Sequence, residues 1–291
     1  MKIIKYFFEF IIIVSLFCIF KIIGLKNASN FGSILGKVIG PFFRSKNIIK
    51  QNIKIGLGNL DAKKEKEIIN GMWSNIGRTF AEYIFLKNFK LNKTGFSHIK
   101  IIGTEYLDEI KKSDKPVVFF SGHFANFELM AMELNKFGIK LAAIYRPLNN
   151  FFLNPLMEYL RIKYICSVQI PKGISGSRKI IKKIKDGYSI ALMVDQRVSE
   201  GPRISFFNKE AHTTTIPTQI ALKYNCKLVP IYIERKNGIN FEMIIHKPFE
   251  IKKTGTHEED IKNNSLTINE NIEKMITKNP AQWIWTHNRW K

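Results

Sequence analysis

Pro116-Val117-Val118-Phe119-Phe120 is an apolar run, and Ser121-Gly122-His123-Phe124-Ala125-Asn126-Phe127-Glu128 follows it directly. A short unbroken run of valine and phenylalanine has the composition of a strand buried on both faces, as in a parallel sheet. Leu129-Met130-Ala131-Met132-Glu133-Leu134 continues with good helix formers, so the segment from Phe124 to Phe137 reads as a helix. The polar residues between them sit where an α/β sheet presents its chemistry, at the carboxyl end of a strand. His123 and Glu128 stand out there as a possible general base and a carboxylate to orient it. Five steps of about 100° rotate by roughly 500°, so the two do not share a face of a regular helix. They meet only if His123 lies in the turn and Glu128 on the first helical turn. A helix entry with an incidental histidine fits the spacing equally well.

Outward from this segment the chain alternates. Segments 140–145, 165–170 and 189–194 read as strands, with helices expected over 153–163, 176–185 and 216–224. Segments 228–234 and 241–246 read as strands joined through the turn signal Lys236-Asn237-Gly238, and a short strand lies near Ile99–Ile102. Thr256-His257-Glu258-Glu259 is a capping box that opens a final helix through about Thr277. Upstream, Asp61 caps a long helix through about Leu86, and Glu82 lies among its apolar residues, where a buried carboxylate requires a partner. Strands separated by helices of this length imply βαβ units. The expected fold is α/β, a mostly parallel central sheet flanked by helices, with an N-terminal membrane-anchor helix.

That anchor is the stretch up to residue 25. Tyr6 to Leu25 is interrupted only by Glu9, Ser15, Lys21 and Gly24. A helix of that length is about 30 Å long, enough to cross a hydrocarbon core. The uninterrupted part, Phe10 to Phe20, is shorter, so a tilted or interfacial anchor is an equal alternative. Lys21 and Lys26 stand where a signal peptide would need small residues for cleavage. Lys2 and Lys5 precede the run, whereas Lys21, Lys26, Lys37, Arg44, Lys46, Lys50 and Lys54 follow it. By the positive-inside tendency the body is expected to be cytoplasmic, held against the inner face of a membrane. The expected division is an anchor over 1–25 and a catalytic domain over 26–291. Gly32, Gly36 and Gly40, four residues apart, indicate either close helix packing or a helical hairpin on the membrane surface.

Lys plus Arg number 46 against 24 Asp plus Glu, a net charge of +22, which calls for an anionic partner: nucleic acid, a membrane surface or an acidic protein. Part of the lysine excess is also what an AT-rich genome produces. No nucleic-acid-binding motif accompanies it, and the apolar N-terminus does not suit such a role. Cys18, Cys166 and Cys226 form no Cys-x-x-Cys pair, and His98, His212, His246, His257 and His287 have no metal-ligand spacing. Neither a disulfide framework nor a metal is expected, and a His/carboxylate metal hydrolase lacks further ligands.

Charged clusters follow two other expected strands: Tyr145-Arg146-Pro147 and Asp195-Gln196-Arg197. In their order and spacing these clusters and Gly122-His123-Phe124-Ala125-Asn126-Phe127-Glu128 resemble the bacterial lipid A biosynthesis branch of the His-x4-Asp/Glu acyltransferases. Phe206-Phe207-Asn208-Lys209-Glu210-Ala211 and the tail Pro280-Ala281-Gln282-Trp283-Ile284-Trp285-Thr286-His287-Asn288-Arg289-Trp290-Lys291 agree with it too. The resemblance covers nearly the whole chain. Asn208 stands where that family usually has glycine, and Trp283 and Trp290 where Tyr and Phe are common; both changes are expected to bear little on catalysis.

The resemblance implies transfer of a fatty acyl chain from an acyl carrier protein thioester to a lipid A precursor, at the hydroxyl of an attached 3-hydroxyacyl chain. It needs no cofactor, and the partners would be the carrier protein, the lipid A precursor and inner-membrane lipids, with no nucleic acid. His123 would be the general base and Glu128 its orienting carboxylate. The oxyanion would be held by backbone amides after His123 or by Arg146. Arg146, Asp195, Gln196 and Arg197 would contact substrate, although Arg146 and Asp195 could equally pair with each other. No Ser or Cys stands beside His123 in a nucleophile elbow, which favours direct transfer over an acyl-enzyme. A lysophospholipid or another glycolipid as acceptor, and a non-catalytic basic binding protein, remain as rivals.

Overall fold

A computed structural model describes residues 2–92 and 97–291. Among the described residues there are nine strands: β1 (Ile99–Ile102), β2 (Val118–Ser121), β3 (Leu141–Tyr145), β4 (Val168–Pro171), β5 (Ser189–Met193), β6 (Arg203–Phe206), β7 (Lys209–His212), β8 (Leu228–Asn237) and β9 (Asn240–Ile245). All four residues of β2 are buried, as its composition predicts, and it occupies the centre of a seven-stranded sheet ordered β1-β9-β8-β2-β5-β3-β4. Every neighbouring pair in this sheet is parallel except β8 and β9, which form the expected hairpin. The mostly parallel α/β architecture is therefore present.

The helices are α1 (Lys2–Ile23), α2 (Leu25–Ile39), α3 (Lys46–Leu57), α4 (Ala62–Glu82), α5 (Leu86–Leu91), α6 (Thr104–Ser113), α7 (Glu128–Lys136), α8 (Asn154–Leu160), α9 (Ile174–Lys185), α10 (Ile216–Tyr224) and α11 (His257–Lys278). The side chain of Asp61 caps α4 through the Lys64 amide, and the Thr256/Glu259 capping box opens α11. Two boundaries differ from expectation. The helix after β2 starts at Glu128, leaving the residues from Gly122 to Phe127 as a loop in which Ala125 adopts a left-handed φ of 43°. The strand expected from Ile165 starts at Val168, because α8 runs on through a π-helical turn, Arg161–Ile165.

The β6–β7 hairpin was not expected. Its turn puts Phe207 and Asn208 at φ 54° and 55°, the geometry that a two-residue hairpin usually achieves with Asn-Gly. Asparagine tolerates this region better than most residues, so Asn208 suits the position.

The glycines in α2 prove to be for close helix packing. A Cβ on Gly32 would lie 2.4 Å from the Gly77 carbonyl oxygen, and one on Gly36 2.1 Å from that of Trp73, so α2 and α4 touch backbone to backbone. The buried Glu82 finds the partner it requires in Arg235 of β8. Trp283 and Trp285 of the tail belong to the core.

Candidate active site

The carboxyl ends of β2, β5, β3 and β4 lie side by side, and each runs out into a residue of one cavity: His123, Gln196, Arg146 and Lys172. This convergence follows from the parallel order of the strands. Lys172 was missed in the sequence because β4 is short and the residue follows it directly.

His123 sits on the loop between β2 and α7. Its Nδ1 lies 2.7 Å from Asp195 Oδ1, and its backbone N–H donates to Asp195 Oδ2 at 2.9 Å. A carboxylate has no proton to donate, so Nδ1 carries the hydrogen and Nε2 is the basic nitrogen. Burial opposes protonation of the ring, but the Asp195 charge and hydrogen bond outweigh it and raise the His123 pKa above the ordinary imidazole value. Burial would raise the Asp195 pKa, but its contacts with His123 prevail and hold the carboxyl well below the usual range.

The carboxylate bonded to the His123 ring is thus Asp195 and not Glu128. Glu128 meets the geometric condition set by the sequence, His123 in the turn and the carboxylate opening the helix. Yet its Oε1 accepts from Arg161 Nε at 3.0 Å and Nη2 at 2.5 Å, and from the Tyr83 hydroxyl at 3.4 Å. Asp195 also corrects two other expectations. Its oxygens are taken by His123 and by the indole N–H of Trp283 at 2.8 Å, so it does not pair with Arg146. Trp283, whose presence in place of tyrosine was expected to bear little on catalysis, donates to the carboxylate that holds the histidine.

The loop is fixed from behind. The strained Ala125 accepts at its carbonyl from Asn75 and Thr79 of α4, and its N–H donates to the Gln282 carbonyl. The amides of His123, Phe124 and Ala125 are engaged by Asp195, the Gly122 carbonyl and the Gln282 carbonyl, so these three have no hydrogen left for an oxyanion. Ser121 also lines the cavity, but it is largely buried and its hydroxyl donates to the Ile231 carbonyl at 2.6 Å.

The cavity holds about 410 Å³ and has both polar and apolar wall. His123, Glu128, Arg146, Arg161, Lys172, Gln196, Arg197 and His287 supply polar wall. Arg161 Nη1 is buried without a hydrogen-bond partner among the described residues. Lys172 and Arg146 both line the cavity, and partial burial of the Lys172 ammonium, then the neighbouring Arg146 charge, lower its pKa. His287, discounted in the sequence for want of metal-ligand spacing, accepts the Arg197 amide at Nε2 and so fixes the segment carrying Asp195. The apolar wall includes a cross-sheet row, Phe119 beside Ala191 beside Ala143, under Ala131 and Leu134 of α7. Two alanines in that row leave room for a narrow apolar group.

A family model described as bacterial lipid A biosynthesis acyltransferase matches residues 1–291. Similar proteins include the lipid A biosynthesis lauroyltransferase of Escherichia coli K12, 24% identical over 269 residues, covering 89% of this chain and 84% of the relative. The lipid A biosynthesis palmitoleoyltransferase of the same organism is 23% identical over 268 residues, covering 89% and 83%. Lipid A biosynthesis acyltransferase 2 of Shigella flexneri is 24% identical over 190 residues, covering 63% and 58%.

Proposed function

The chain belongs to the bacterial lipid A biosynthesis acyltransferases, and from that premise we propose that it moves a fatty acyl chain from an acyl carrier protein thioester to a hydroxyl of a lipid A precursor, late in its acylation. The observation that carries the reading is His123, its Nδ1 held by Asp195 and its ring in the wall of a cavity that is cationic at one part and apolar at another. A lipid hydroxyl is a poor nucleophile until its proton leaves. Nε2 accepts that proton as the oxygen attacks the thioester carbonyl, and Asp195 stabilises the imidazolium that forms. The resulting oxyanion needs a fixed donor. With the amides of His123, Phe124 and Ala125 engaged, in this reading the role falls to Nη1 of Arg161, which has no hydrogen-bond partner among the described residues and belongs to a guanidinium clamped by Glu128. Collapse expels the thiolate, which takes the proton from Nε2, leaving an ester and a free thiol.

In this reading Glu128 acts on the arginine, while Arg146, Lys172 and Arg197 receive phosphate of the donor arm or of the lipid. The acyl chain lies along Phe119, Ala191 and Ala143. The net charge of +22 favours an acidic carrier protein and a phosphorylated lipid at the cytoplasmic face of the inner membrane.

The test offers purified full-length protein an acyl carrier protein thioester or an acyl-CoA, with a lipid A precursor or a lysophospholipid, and identifies products by mass spectrometry. Acylated lipid A precursor formed from the carrier protein thioester, and lost in His123→Ala, is the expected result. Full transfer by His123→Ala would refute the mechanism, and transfer only to lysophospholipid would refute the acceptor.

A further inference from the structure

With its 22 residues and apolar composition α1 is long enough to cross a bilayer, but its contacts run the length of the folded body. Near its start, Tyr6 and Phe7 pack edge-on against Phe151 and Phe152, and Asn150 donates to the Tyr6 carbonyl at 2.9 Å. Near its end, Phe17 and Phe20 pack on Phe80 of α4 and are buried. A helix crossing the bilayer in this arrangement would carry α4 and the loop at Asn150 to hydrocarbon depth, with charged neighbours such as Arg78 and Arg161.

The other side of α1 explains what the helix is for. Ile4, Phe8, Ile11, Ile12, Ser15, Cys18, Ile19 and Ile22 fall within one third of the helical circumference at 100° per residue, and all are exposed. No charge interrupts this stripe from end to end. The one carboxylate of α1, Glu9, is turned toward the body, where Asn150 donates to it at 3.2 Å. The chain then adds exposed Phe31, Ile34 and Val38 on α2, and Phe42 and Phe43 at 87% and 75% exposure. Lys21, Lys26, Lys37, Arg44 and Lys46 are interspersed among these residues. Apolar residues set among cations fit the acyl and phosphate layers of one leaflet.

We propose that α1 lies in the plane of an anionic leaflet, its Ile4–Ile22 stripe sunk to the headgroup–acyl boundary, and does not cross the bilayer. The consequence for the site is direct, and it goes beyond the catalytic reading without depending on it. Leu148 and Asn149 line the cavity, and Asn150 next to them is bonded to α1, so the in-plane helix sets that side of the cavity against the leaflet. A lipid then enters by lateral movement.

The experiment uses the full-length chain on vesicles of phosphatidylglycerol and phosphatidylcholine. Cys18 is exposed whereas Cys166 and Cys226 are buried, so a nitroxide can be attached to the natural chain at one place. Further labels are placed in Ile4→Cys, Ile11→Cys and Ile22→Cys, each combined with Cys18→Ser; all lie on the exposed stripe, away from the packed side. Label depth is read from collision with oxygen against a water-soluble nickel chelate. The expected result is one common depth, roughly 5–10 Å into the boundary region. Labels at positions 4 and 22 separated by about 27 Å in depth, with position 11 near the midplane, would overturn the proposal in favour of a spanning helix. Spin–spin broadening between chains and no vesicle binding would overturn it in favour of a second copy on this face. Binding should weaken more than about tenfold on pure phosphatidylcholine; equal binding there would overturn the anionic requirement.

Discussion

At the scale of single residues, the site depends on which carboxylate faces the imidazole. Asp195 stabilises the protonated ring and so raises the His123 pKa, while burial acts the other way. Catalysis by a general base requires the neutral ring. The acid limb of kcat/KM is therefore expected above the ordinary imidazole value of about 6.5. In Asp195→Asn that limb should move to lower pH, since burial is then less opposed, and kcat should fall by about 10²–10⁴-fold. Glu128→Gln should also lose activity, through Arg161, but should move the His123 titration far less when followed by NMR of the ring. Equal shifts in the two variants would mean that Glu128 sets the base as much as Asp195 does, and a larger shift in Glu128→Gln would overturn the assignment. The sequence showed His123 and Asp195 as residues at strand ends, yet not as partners. They are far apart in the chain and meet because β5 lies beside β2, an adjacency that no local pattern encodes. Glu128 is near in sequence, and a pairing read from spacing alone favours the near residue.

Among elements, local signals predicted what is locally caused. The caps of α4 and α11, the all-buried β2 and the β8–β9 turn each follow from a few adjacent residues. The β6–β7 hairpin escaped because Phe207 occupies a left-handed position where no turn-forming residue marks it. The α2–α4 contact was half legible. Gly32 and Gly36 were visible as a spacing, but the partner Gly77 lies in another helix, where a lone glycine reads as a weakness. A Gly→Ala change inside a helix ordinarily stabilises by about 0.5–1 kcal/mol. At Gly77 the added Cβ would stand 2.0 Å from the Gly32 carbonyl oxygen and 2.9 Å from Gly36 Cα, and backbone atoms cannot swing aside. Gly77→Ala is therefore expected to destabilise by about 1–3 kcal/mol, the reverse of the propensity effect. Thermal unfolding of the detergent-solubilised protein, followed by circular dichroism, decides the sign; an unchanged or higher Tm would show that the helices are not in backbone contact.

Across the whole molecule, one buried cluster joins α2 and α4 to the His123 loop and the sheet. Glu82 is fully buried and accepts from Ser29 of α2, from Asn126 of the His123 loop and, through both oxygens, from Arg235 of β8. Arg235 reaches Asn75 of α4 as well, and Asn75 in turn holds the Ala125 carbonyl. The sequence exposed the need, a carboxylate among apolar residues, but its partner lies 153 positions away and only the assembled fold supplies it. Taking two charges out of water is costly, so the pair need not be more stable than an apolar packing of the same shape. Removing one member, however, strands the other without solvent. Glu82→Ala and Arg235→Ala should each cost about 3–5 kcal/mol. The double variant should lose less than the sum of the two by about 1–3 kcal/mol, because the second change removes the stranded charge left by the first. Denaturant midpoints of the four proteins close this cycle. Strictly additive losses would mean that the two side chains stabilise the fold independently and that the cluster does not act as one joint between α2, α4 and the His123 loop.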